Sequence, residues 1–493
     1  MCQQKETLSV GKTISFQRVP RATAMIGAVV GLVLASALEC KSAEPDPCGF
    51  AKKKKQVVHV YPIGPAWAGH PVRFCLYTAP PYQYVGYYDA DRRMVIAARE
   101  LSSDRWEIQR LPTSVGWDSH NSIVIAVDQT GHVHVTGNMH VTPLIYFRTE
   151  KPHAISTFQR YSMVGQDEDR VTYPRFLFTQ QGDLLFFYRD GASGRGRQLI
   201  NIYDVTKKSW QRLLQKPLLD GGEEMSAYPS GPILGPDGRW HMCWVWRDTS
   251  DCSTNHDISY ARSDDLIHWE TVEGKPIDLP ITPDTPGVIV DPVPVKKGLI
   301  NVAHYVGFDP DNRPIVTYHK YDEQGYSQIF NARWEENRWV IRQASRWDYR
   351  WEFSGGGTIN VEVSSTRVYA LADGRLAQMF SHAKYGSGIW VLDPNTLNVV
   401  ETCRNSRGLP PELSKLESDF PGMRVQFVGD SGNPPADEEY LLRWETLPAN
   451  RDRPHEGPIP PPTTLRLYHL RDVSEAADGN HVLRPMTVPR DQS

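Results

Sequence analysis

Residues 127–137 read VDQTGHVHVTG, in which a turn containing Asp and Gly leads into a strand-like run. A turn of this kind followed by a run rich in β-branched and aromatic residues returns at 179–191, 234–248, 295–307 and 371–383. The turn glycines lie about 50 to 75 residues apart, and four-stranded propeller blades repeat at roughly 40 to 50 residues, or more with insertions. We therefore predict an all-β chain that folds as a single β-propeller.

The composition agrees with many short strands joined by turns. The 493 residues include 37 Gly and 38 Pro, and 40% of them are hydrophobic. Such a composition favours strands and tight turns over long helices. The formal net charge of −4 provides no global attraction for polyanions, so nucleic acid is a poor candidate partner. An anionic ligand would need positive charge concentrated at its binding site. We expect the protein to be a monomer.

The first forty residues differ from the rest. An uncharged run, AMIGAVVGLVLASAL, occupies 24–38 after three basic residues, and Ala35-Ser36-Ala37 fits a signal-peptidase site. We predict a secretory signal over 1–37, a short leader over 38–54 and a propeller domain over 55–493. The alternative is a single membrane anchor, for which the run is short. A secreted or periplasmic protein without further membrane association is expected.

Two further features bear on the organisation of the chain. Cleavage after Ala37 would remove one of the seven cysteines and leave six, which permits disulfides but is not a disulfide-dense scaffold. The Pro-rich stretch RPHEGPIPPPTT at 453–464 lies between two strand-like runs. We interpret it as a long loop within the propeller and not as a domain boundary.

Four segments place reactive side chains at strand ends or in the adjoining turns. They are DSHN with NMH (118–121 and 138–140), VTYPRF (171–176), YRDGASGRG (188–196) and SAYPSGP (226–232). Functional residues concentrate on loops held by a rigid scaffold, and histidine is readily recruited for proton transfer near neutral pH. Taken singly, each residue has an ordinary packing or ion-pair explanation. The candidates are His120, Asn121, His140, Tyr173, Arg189 and Tyr228.

The order of these motifs resembles the BNR-repeat propeller family that includes ulvan lyases and related uronate-cleaving polysaccharide lyases. The resembling pattern runs DSHN, GxxHVxGxMH, VTYPxF, YRDGxSGxG and AYPxxP. The resemblance extends from residue 66 to residue 472. It implies a seven-bladed propeller with the active site in a canyon on one face. By motif, it implies a catalytic set of His120, His140, Tyr173, Arg189 and Tyr228.

The implied reaction is β-elimination, in which a base removes the C5 proton of a uronic acid and the oxygen at C4 is expelled. The substrate carboxylate must be neutralised for that proton to become acidic, and the fork of Arg189 suits a carboxylate. Asn121 or a charged His120 would assist. We predict Tyr173 and His140 as the proton-transfer groups, with their base and acid roles left open. His120, Arg189 and Tyr228 would bind and polarise the uronate.

A second group of candidates is His241, Cys243, Cys252 and His256. His241 and Cys243 share a strand face, because side chains alternate along a strand. Two His and two Cys suit a closed tetrahedral zinc site of the structural kind. The alternatives are a Cys243–Cys252 disulfide, or His256 as part of the substrate canyon. No organic cofactor is expected.

Aromatic and basic residues outside the motifs are candidates for binding sugar. Trp246 and Tyr349 could line the sugar groove, although most Trp in a propeller belong to the core. Arg247 could meet a carboxylate or sulfate, although an ordinary ion pair is the commoner role for a lone arginine.

The leading hypothesis is a secreted lyase that acts on an anionic, ulvan-like polysaccharide. A sialidase-like glycoside hydrolase would need carboxylates such as Asp118, Asp190, Glu223 or Glu224. A non-catalytic carbohydrate-binding propeller is the third hypothesis, because a fold alone does not prove activity.

Overall fold

The computed structural model describes residues 54–404 and 409–473. These described residues belong to one compact unit, and they contain strands and three short 3₁₀ helices (Ile155–Thr157, Cys252–Thr254 and Pro411–Ser414) but no α-helix. Within these ranges no helix is long and apolar enough to cross a membrane. The predicted signal at 1–37 and most of the leader at 38–54 lie outside the described residues.

The strands are short, as the turn-rich sequence predicts. The first sixteen are β1 Lys54–Ala66, β2 Cys75–Ala79, β3 Tyr82–Tyr88, β4 Arg93–Glu100, β5 Glu107–Ser114, β6 Ile123–Val127, β7 Val133–Gly137, β8 His140–Thr142, β9 Tyr146–Thr149, β10 Phe158–Arg160, β11 Val171–Phe178, β12 Leu184–Ala192, β13 Arg195–Asp204, β14 Ser209–Arg212, β15 Leu219–Asp220 and β16 Ser226–Leu234. The others are β17 Trp240–Arg247, β18 Asn255–Ser263, β19 Trp269–Glu270, β20 Pro276–Ile277, β21 Ile289–Asp291, β22 His304–Phe308, β23 Pro314–Tyr321, β24 Ser327–Glu335, β25 Arg338–Gln343, β26 Val363–Ser365, β27 Tyr369–Ala370, β28 Leu376–His382, β29 Gly386–Leu392, β30 Val399–Arg404, β31 Arg424–Gly429, β32 Glu439–Thr446 and β33 Thr463–Val473.

Consecutive strands form small antiparallel sheets, one after another along the chain. Four-stranded sheets have the orders β2-β3-β4-β5, β10-β9-β7-β6 and β22-β23-β24-β25, and a five-stranded sheet contains β26 to β30. A twelve-stranded sheet contains β8 and the strands from β11 to β21. Within it, β13 and β16 are joined by a single parallel pair, Gly196 with Ser226. This succession of sheets is the predicted all-β propeller architecture. The blade number of seven stays a prediction.

The last sheet combines both ends of the described chain, in the order β1-β33-β32-β31. Strand β1 pairs with β33 in antiparallel register from Lys54 opposite Val473 to Ala66 opposite Thr463. An isolated parallel bridge between Leu76 and Asp430 then links this sheet to the first one. The Pro-rich stretch lies mostly between β32 and β33, so it is a loop within the propeller, as predicted.

Apolar side chains fill the space between neighbouring sheets. One cluster joins Leu76 and Tyr87 of the first sheet with Leu467 and Trp444 of the last. Alternation along β17 sends Met242, Trp244 and Trp246 to one cluster and Cys243 and Val245 to another. Because strands with both faces buried hold their ends in fixed positions, the loops at those ends are well placed to carry a site.

Candidate active site

The candidate catalytic residues gather because antiparallel pairing brings the relevant strand ends to one edge. His140 opens β8 opposite Thr172, and the start of β11 pairs with the end of β12, Thr172 opposite Arg189. The start of β16 likewise pairs with the end of β17, where Arg247 lies opposite Ser226. Segments distant in sequence therefore present their side chains to one place.

Unusual backbone conformations occur where these side chains project. Tyr173 has a φ of 52° and lies at an irregularity of β11 between Thr172 and Arg175. Val141, next to His140, has a φ of 59°. A left-handed conformation is costly for such residues and persists only when the surrounding structure enforces it, often at functional sites.

Asp118 joins the two histidines. One carboxylate oxygen lies 2.7 Å from Nδ1 of His120 and the other lies 2.5 Å from Nδ1 of His140. The two imidazole rings stack with centroids 4.3 Å apart. Because both Nδ1 atoms face Asp118, each ring leaves Nε2 as the nitrogen that a substrate would meet.

The carboxylates around His120 favour its charged form. A second carboxylate, that of Asp452, has an oxygen 3.4 Å from the same Nδ1. Burial lowers the pKa of His120, but Asp118 and Asp452 outweigh it and raise the pKa to about 9. The pKa of Asp118 is held far below its usual range, because the bonds to His120 and His140 outweigh a burial effect in the opposite direction. At neutral pH, His120 is therefore an imidazolium held by two carboxylates.

Tyr173 and Tyr228 lie beside the histidines and enclose a buried arginine. The ring of Tyr173 is 5.9 Å from that of His120, 5.8 Å from that of His140 and 6.1 Å from that of Tyr228. The guanidinium carbon of Arg189 lies 4.9 Å from the Tyr173 ring and 5.1 Å from the Tyr228 ring. Such cation–π contacts are strongest when water is excluded, and Arg189 is 0% exposed.

Arg189 differs from the expectation that it meets the substrate directly. Its Nε donates to the carbonyl oxygen of Gly191 at 3.2 Å, and its buried Nη1 and Nη2 have no hydrogen-bond partner among the described residues. A buried charge of this kind acts on its surroundings through its field, because little solvent screens it. As placed, it is an electrostatic group behind the tyrosines.

The two tyrosines have different proton affinities. Burial raises the pKa of Tyr228, but Arg189 and Arg247 outweigh burial and the net pKa is lowered. Burial, together with the neighbouring Tyr228, raises the pKa of Tyr173. The Tyr228 hydroxyl also donates to Oγ of Ser193 at 2.8 Å. Tyr173 thus keeps its proton at neutral pH, whereas Tyr228 is the tyrosine that the arginines favour as an anion.

A cavity of about 540 Å³ opens at this cluster, and its volume is of the size of a small-ligand site. His120, Tyr173 and Arg247 line it, together with Arg73 and Thr358. Tyr173 is 36% exposed, whereas Tyr228 is 6% exposed. A ligand in the cavity would therefore meet Tyr173 before Tyr228.

The predicted binding residues fall in different places. Asn121 belongs to the same loop as His120, and its carbonyl oxygen accepts from the Tyr88 hydroxyl at 2.7 Å. Arg247 lines the cavity and lies 5.4 Å from the Tyr228 ring. Trp246 is 1% exposed within the core between sheets, so it has no surface to offer a sugar. Tyr349 bonds to Glu362 and packs against His382, apart from the histidine pair.

The four residues predicted for zinc are not brought together. His241 is buried and bonds to Tyr260 and Asp237, at 2.5 and 2.9 Å, and His256 has one ring nitrogen 2.9 Å from Asp257. Cys243 and Cys252 belong to different apolar clusters, and both are free thiols, so the alternative disulfide is not formed either. His241 does share a strand face with Cys243, but the turn after β17 directs Cys252 into another part of the core.

Asp118, His120 and His140 form the single group of three potential metal-binding side chains in the described ranges, with one atom of each within 4.8 Å of the others. To bind a metal ion through the nitrogens that face Asp118, His120 and His140 would have to give up the hydrogen bonds that their Nδ1 atoms make with Asp118. We interpret the group as a hydrogen-bonded Asp–His pair of the kind that orients imidazoles for proton transfer.

Sequence reasoning missed the part that Asp452 plays and assigned Asp118 to a different role. Asp118 stood out only as a carboxylate for hydrolysis, although its place one residue from Ser119 and two from His120 in the WDSHN motif was a usable signal. Asp452 lies 332 positions beyond His120 in an unremarkable loop. Its role depends on a tertiary contact that no local pattern encodes.

The family described as BNR repeat-containing family member matches residues 82–347, more than half of the chain. The chain belongs to this family. The matched region contains His140, Tyr173, Arg189, Tyr228 and His120, so the BNR-repeat assignment rests on the part of the protein that builds the site.

Two relatives of this BNR-repeat protein are ulvan lyases from Alteromonas. The short isoform from Alteromonas sp. (strain LOR) is 24% identical over 178 residues, covering 33% of this chain and 34% of the relative. The long isoform from Alteromonas sp. is 22% identical over 404 residues, covering 64% of this chain and 39% of the relative. The BNR-repeat chain thus spans between a third and two fifths of the length of these relatives.

Solved structures of polysaccharide lyases share the fold. Polysaccharide lyase Uly1 matches with a TM-score of 0.56 and 12% identity, covering 84% of this chain and 99% of that one. A PL25 ulvan lyase matches with a TM-score of 0.53 and 14% identity, covering 83% of this chain and 95% of that one. The same PL25 enzyme bound to -[GlcA(1-4)Rha3S]- gives a TM-score of 0.54, 13% identity and the same coverage. At these identities the likeness establishes the fold.

Proposed function

We propose that this protein is a polysaccharide lyase that cleaves a uronic-acid-containing polymer by β-elimination. The observation that carries the proposal is a charged His120 and a protonated Tyr173 that line one cavity, with an Asp118-bound His140 stacked against His120. Elimination needs a cation for the carboxylate, a base for the C5 proton and an acid for the leaving oxygen, and this grouping offers one of each.

His120 supplies the positive charge for the uronate carboxylate. Its pKa of about 9 keeps the imidazolium charged at neutral pH, and its Nε2 is free of the two carboxylates that hold Nδ1. Neutralising the carboxylate stabilises the enolate-like state that forms as the C5–H bond weakens. Asn121, in the same loop, is placed to assist. Arg189 adds positive potential from behind the tyrosines.

His140 and Tyr173 carry out the proton transfers. Nε2 of His140 takes the proton from C5, the electron pair forms the C4=C5 bond, and the C4–O4 bond breaks. The Tyr173 hydroxyl donates its proton to O4, and its raised pKa means that the proton is present at neutral pH. Asp118 stabilises the imidazolium formed on His140. The products are an unsaturated uronate end and a free hydroxyl, and the step needs no organic cofactor.

The substrate class follows from charge and from the relatives. Arg73 and Arg247 line the cavity, and both guanidinium groups suit carboxylate or sulfate. The relatives named ulvan lyases, and the PL25 enzyme bound to a glucuronate–rhamnose-3-sulfate repeat, support a sulfated, ulvan-like polymer. Action on such a polymer agrees with the export expected from residues 1–37.

Hydrolysis has less support from the same site. Asp118 is engaged by two histidines, and buried Asp190 lies 3.1 Å from Nε of Arg197. A hydrolase needs one carboxylate free to act as an acid and another as a base or nucleophile, or a tyrosine nucleophile with an acidic partner. Neither aspartate is free for that work.

Ultraviolet absorbance during incubation with ulvan tests the proposal, because a C4=C5 unsaturated uronate absorbs and a saturated one does not. The wild type should give a rise that Tyr173→Phe reduces by a factor of about 10² or more. Tyr326→Phe is the matched control, since Tyr326 is 39% exposed and makes no contact with the His120–His140 cluster among the described contacts. New reducing ends without a rise in absorbance would mean hydrolysis. If no uronate polymer gives either signal, the hypothesis of a non-catalytic carbohydrate-binding propeller would be favoured.

A further inference from the structure

Asp452 connects three loops at the candidate site. Its carboxylate accepts hydrogen bonds from the Ser119 amide at 3.1 Å and from the amide and the hydroxyl of Thr358, both at 2.8 Å. One of its oxygens also lies 3.4 Å from Nδ1 of His120. The loop after β32 thereby ties the WDSHN loop to the loop before β26.

The loop that carries Asp452 is built to hold it in place. Arg451 and Asp452 both adopt left-handed conformations, with φ of 51° and 61°. The Arg451 guanidinium donates to the carbonyl oxygens of Ser354 and Gly356, at 2.7 and 3.2 Å. A Cβ on Gly357 would come within 2.6 Å of the Arg451 carbonyl oxygen, so the two loops approach closely. Two consecutive non-glycine residues in this region indicate a conformation enforced by its contacts.

We propose that Asp452 is a positioning residue, which fixes the imidazole of His120 from the side opposite to the reacting nitrogen. This inference rests on the proposed function for its catalytic meaning, but its structural content concerns His120 alone. Nδ1 of His120 bonds to Asp118, and the carboxylate of Asp452 forms an ion pair with the same nitrogen, so the ring is held between carboxylates from two distant parts of the chain. The two bonds from Thr358 fix that second carboxylate from outside the WDSHN loop, and the Ser119 amide adds a bond from within that loop.

Several charged and titratable groups face His120, and a test must separate the effect of Asp452 on His120 from the effects of the others. Asp118 comes from its own loop, Asp452 from the loop after β32, His140 from β8 and Tyr173 from β11. Arg73 and Arg247 line the same cavity. Replacing Asp452 with Asn removes one negative charge and keeps the size of the side chain, while one of the two acceptor oxygens that face Ser119 and Thr358 is lost.

Histidine NMR of the full-length protein tests this with no need for activity, with the His120 signal assigned by its loss in His120→Gln. In Asp452→Asn the titration midpoint of His120 should fall by about one unit, a tenfold loss of proton affinity. Asn450→Ala should leave the midpoint in place, because it removes only hydrogen bonds to the carbonyl oxygens of Arg453 and Pro454 inside the same loop and changes no charge.

The lyase assay adds the catalytic readout. If Asp452 positions His120, Asp452→Asn lowers kcat about tenfold or more, with a smaller change in KM, and moves the alkaline limb of the rate profile to lower pH. An unmoved His120 midpoint in folded Asp452→Asn would overturn the positioning role, even if the enzyme is a lyase. A moved midpoint in a protein without lyase activity would uphold the contact and reject the proposed function instead.

Discussion

At the scale of single residues, Arg189 is the group whose position says most about the site. A fully buried guanidinium with two unpartnered nitrogens costs free energy unless nearby groups compensate for it. The rings of Tyr173 and Tyr228 on either side offer that compensation, and in return the charge lowers the pKa of Tyr228. The motif YRDGASGRG identified this arginine, but only the fold shows that it lies behind the tyrosines.

Arg189→Leu should therefore raise the pKa of Tyr228. Ultraviolet titration of tyrosinate absorbance should show one tyrosine that ionises at lower pH than the others in the wild type, and that early ionisation should disappear in the variant. Lyase activity should fall by about tenfold or more, as expected for loss of roughly one pKa unit of electrostatic stabilisation. Arg350→Leu is the control, because Arg350 lies 3.9 Å from the ring of Tyr321, away from the cluster. An unchanged early ionisation in Arg189→Leu would contradict the argument.

At the scale of elements, the strands were easier to predict than the contacts of the loops. The turn followed by a strand-like run that the sequence predicts at 127–137 is a turn that leads into β7. Strand periodicity also placed His241 and Cys243 on one face. The direction of Cys252 depends on a 3₁₀ turn, and the burial of Trp246 depends on which face of β17 meets the neighbouring sheet. Neither is encoded within the segment itself.

Strand β33, an inner strand of the last sheet, offers a test of how much the packing between sheets contributes to stability. Leu467 of β33 is 0% exposed and packs with side chains of both the first and the last sheet. Leu467→Ala should lower the free energy of unfolding by about 2 to 5 kcal/mol, because a buried cavity replaces the lost contacts. Thr464→Ala, at an exposed position of the same strand, should change it by less than about 0.5 kcal/mol. Denaturant unfolding measures both, and equal losses would show that Leu467 contributes no more than the strand backbone.

At the scale of the whole molecule, the site draws on several sheets at once. Asp118 precedes the second sheet, Tyr173 and Arg189 come from the twelve-stranded sheet, and Asp452 comes from the last. The all-β class and most of the site were predictable because strand patterns and short motifs are local. Asp452 was not, since its contact with His120 exists only after the first and last sheets have come together.

A ligand that bridges these loops should stabilise the whole protein. In Tyr173→Phe, which should bind without cleaving, a uronate oligosaccharide at a hundredfold excess over its Kd adds about 2.7 kcal/mol. For a chain of this size that corresponds to a rise in Tm of roughly 3 to 5 °C. A neutral oligosaccharide of equal length serves as the control. Thermal unfolding followed by circular dichroism measures the shift, and an equal shift with the neutral sugar would contradict recognition of the carboxylate.

The pairing of β1 with β33 also constrains how the protein comes into being. A polypeptide is synthesised from its beginning, so the residues of β1 exist long before those of β33 can meet them. Until then, the edge of β1 is open to any other strand, and the sheet that contributes Asp452 is incomplete. Before β33 is made, the chain already contains every strand of the other five sheets, but the last sheet lacks β33, which pairs with both β1 and β32. A chain interrupted shortly before Thr463 would keep most of the motifs described above but lack the strand that completes the protein.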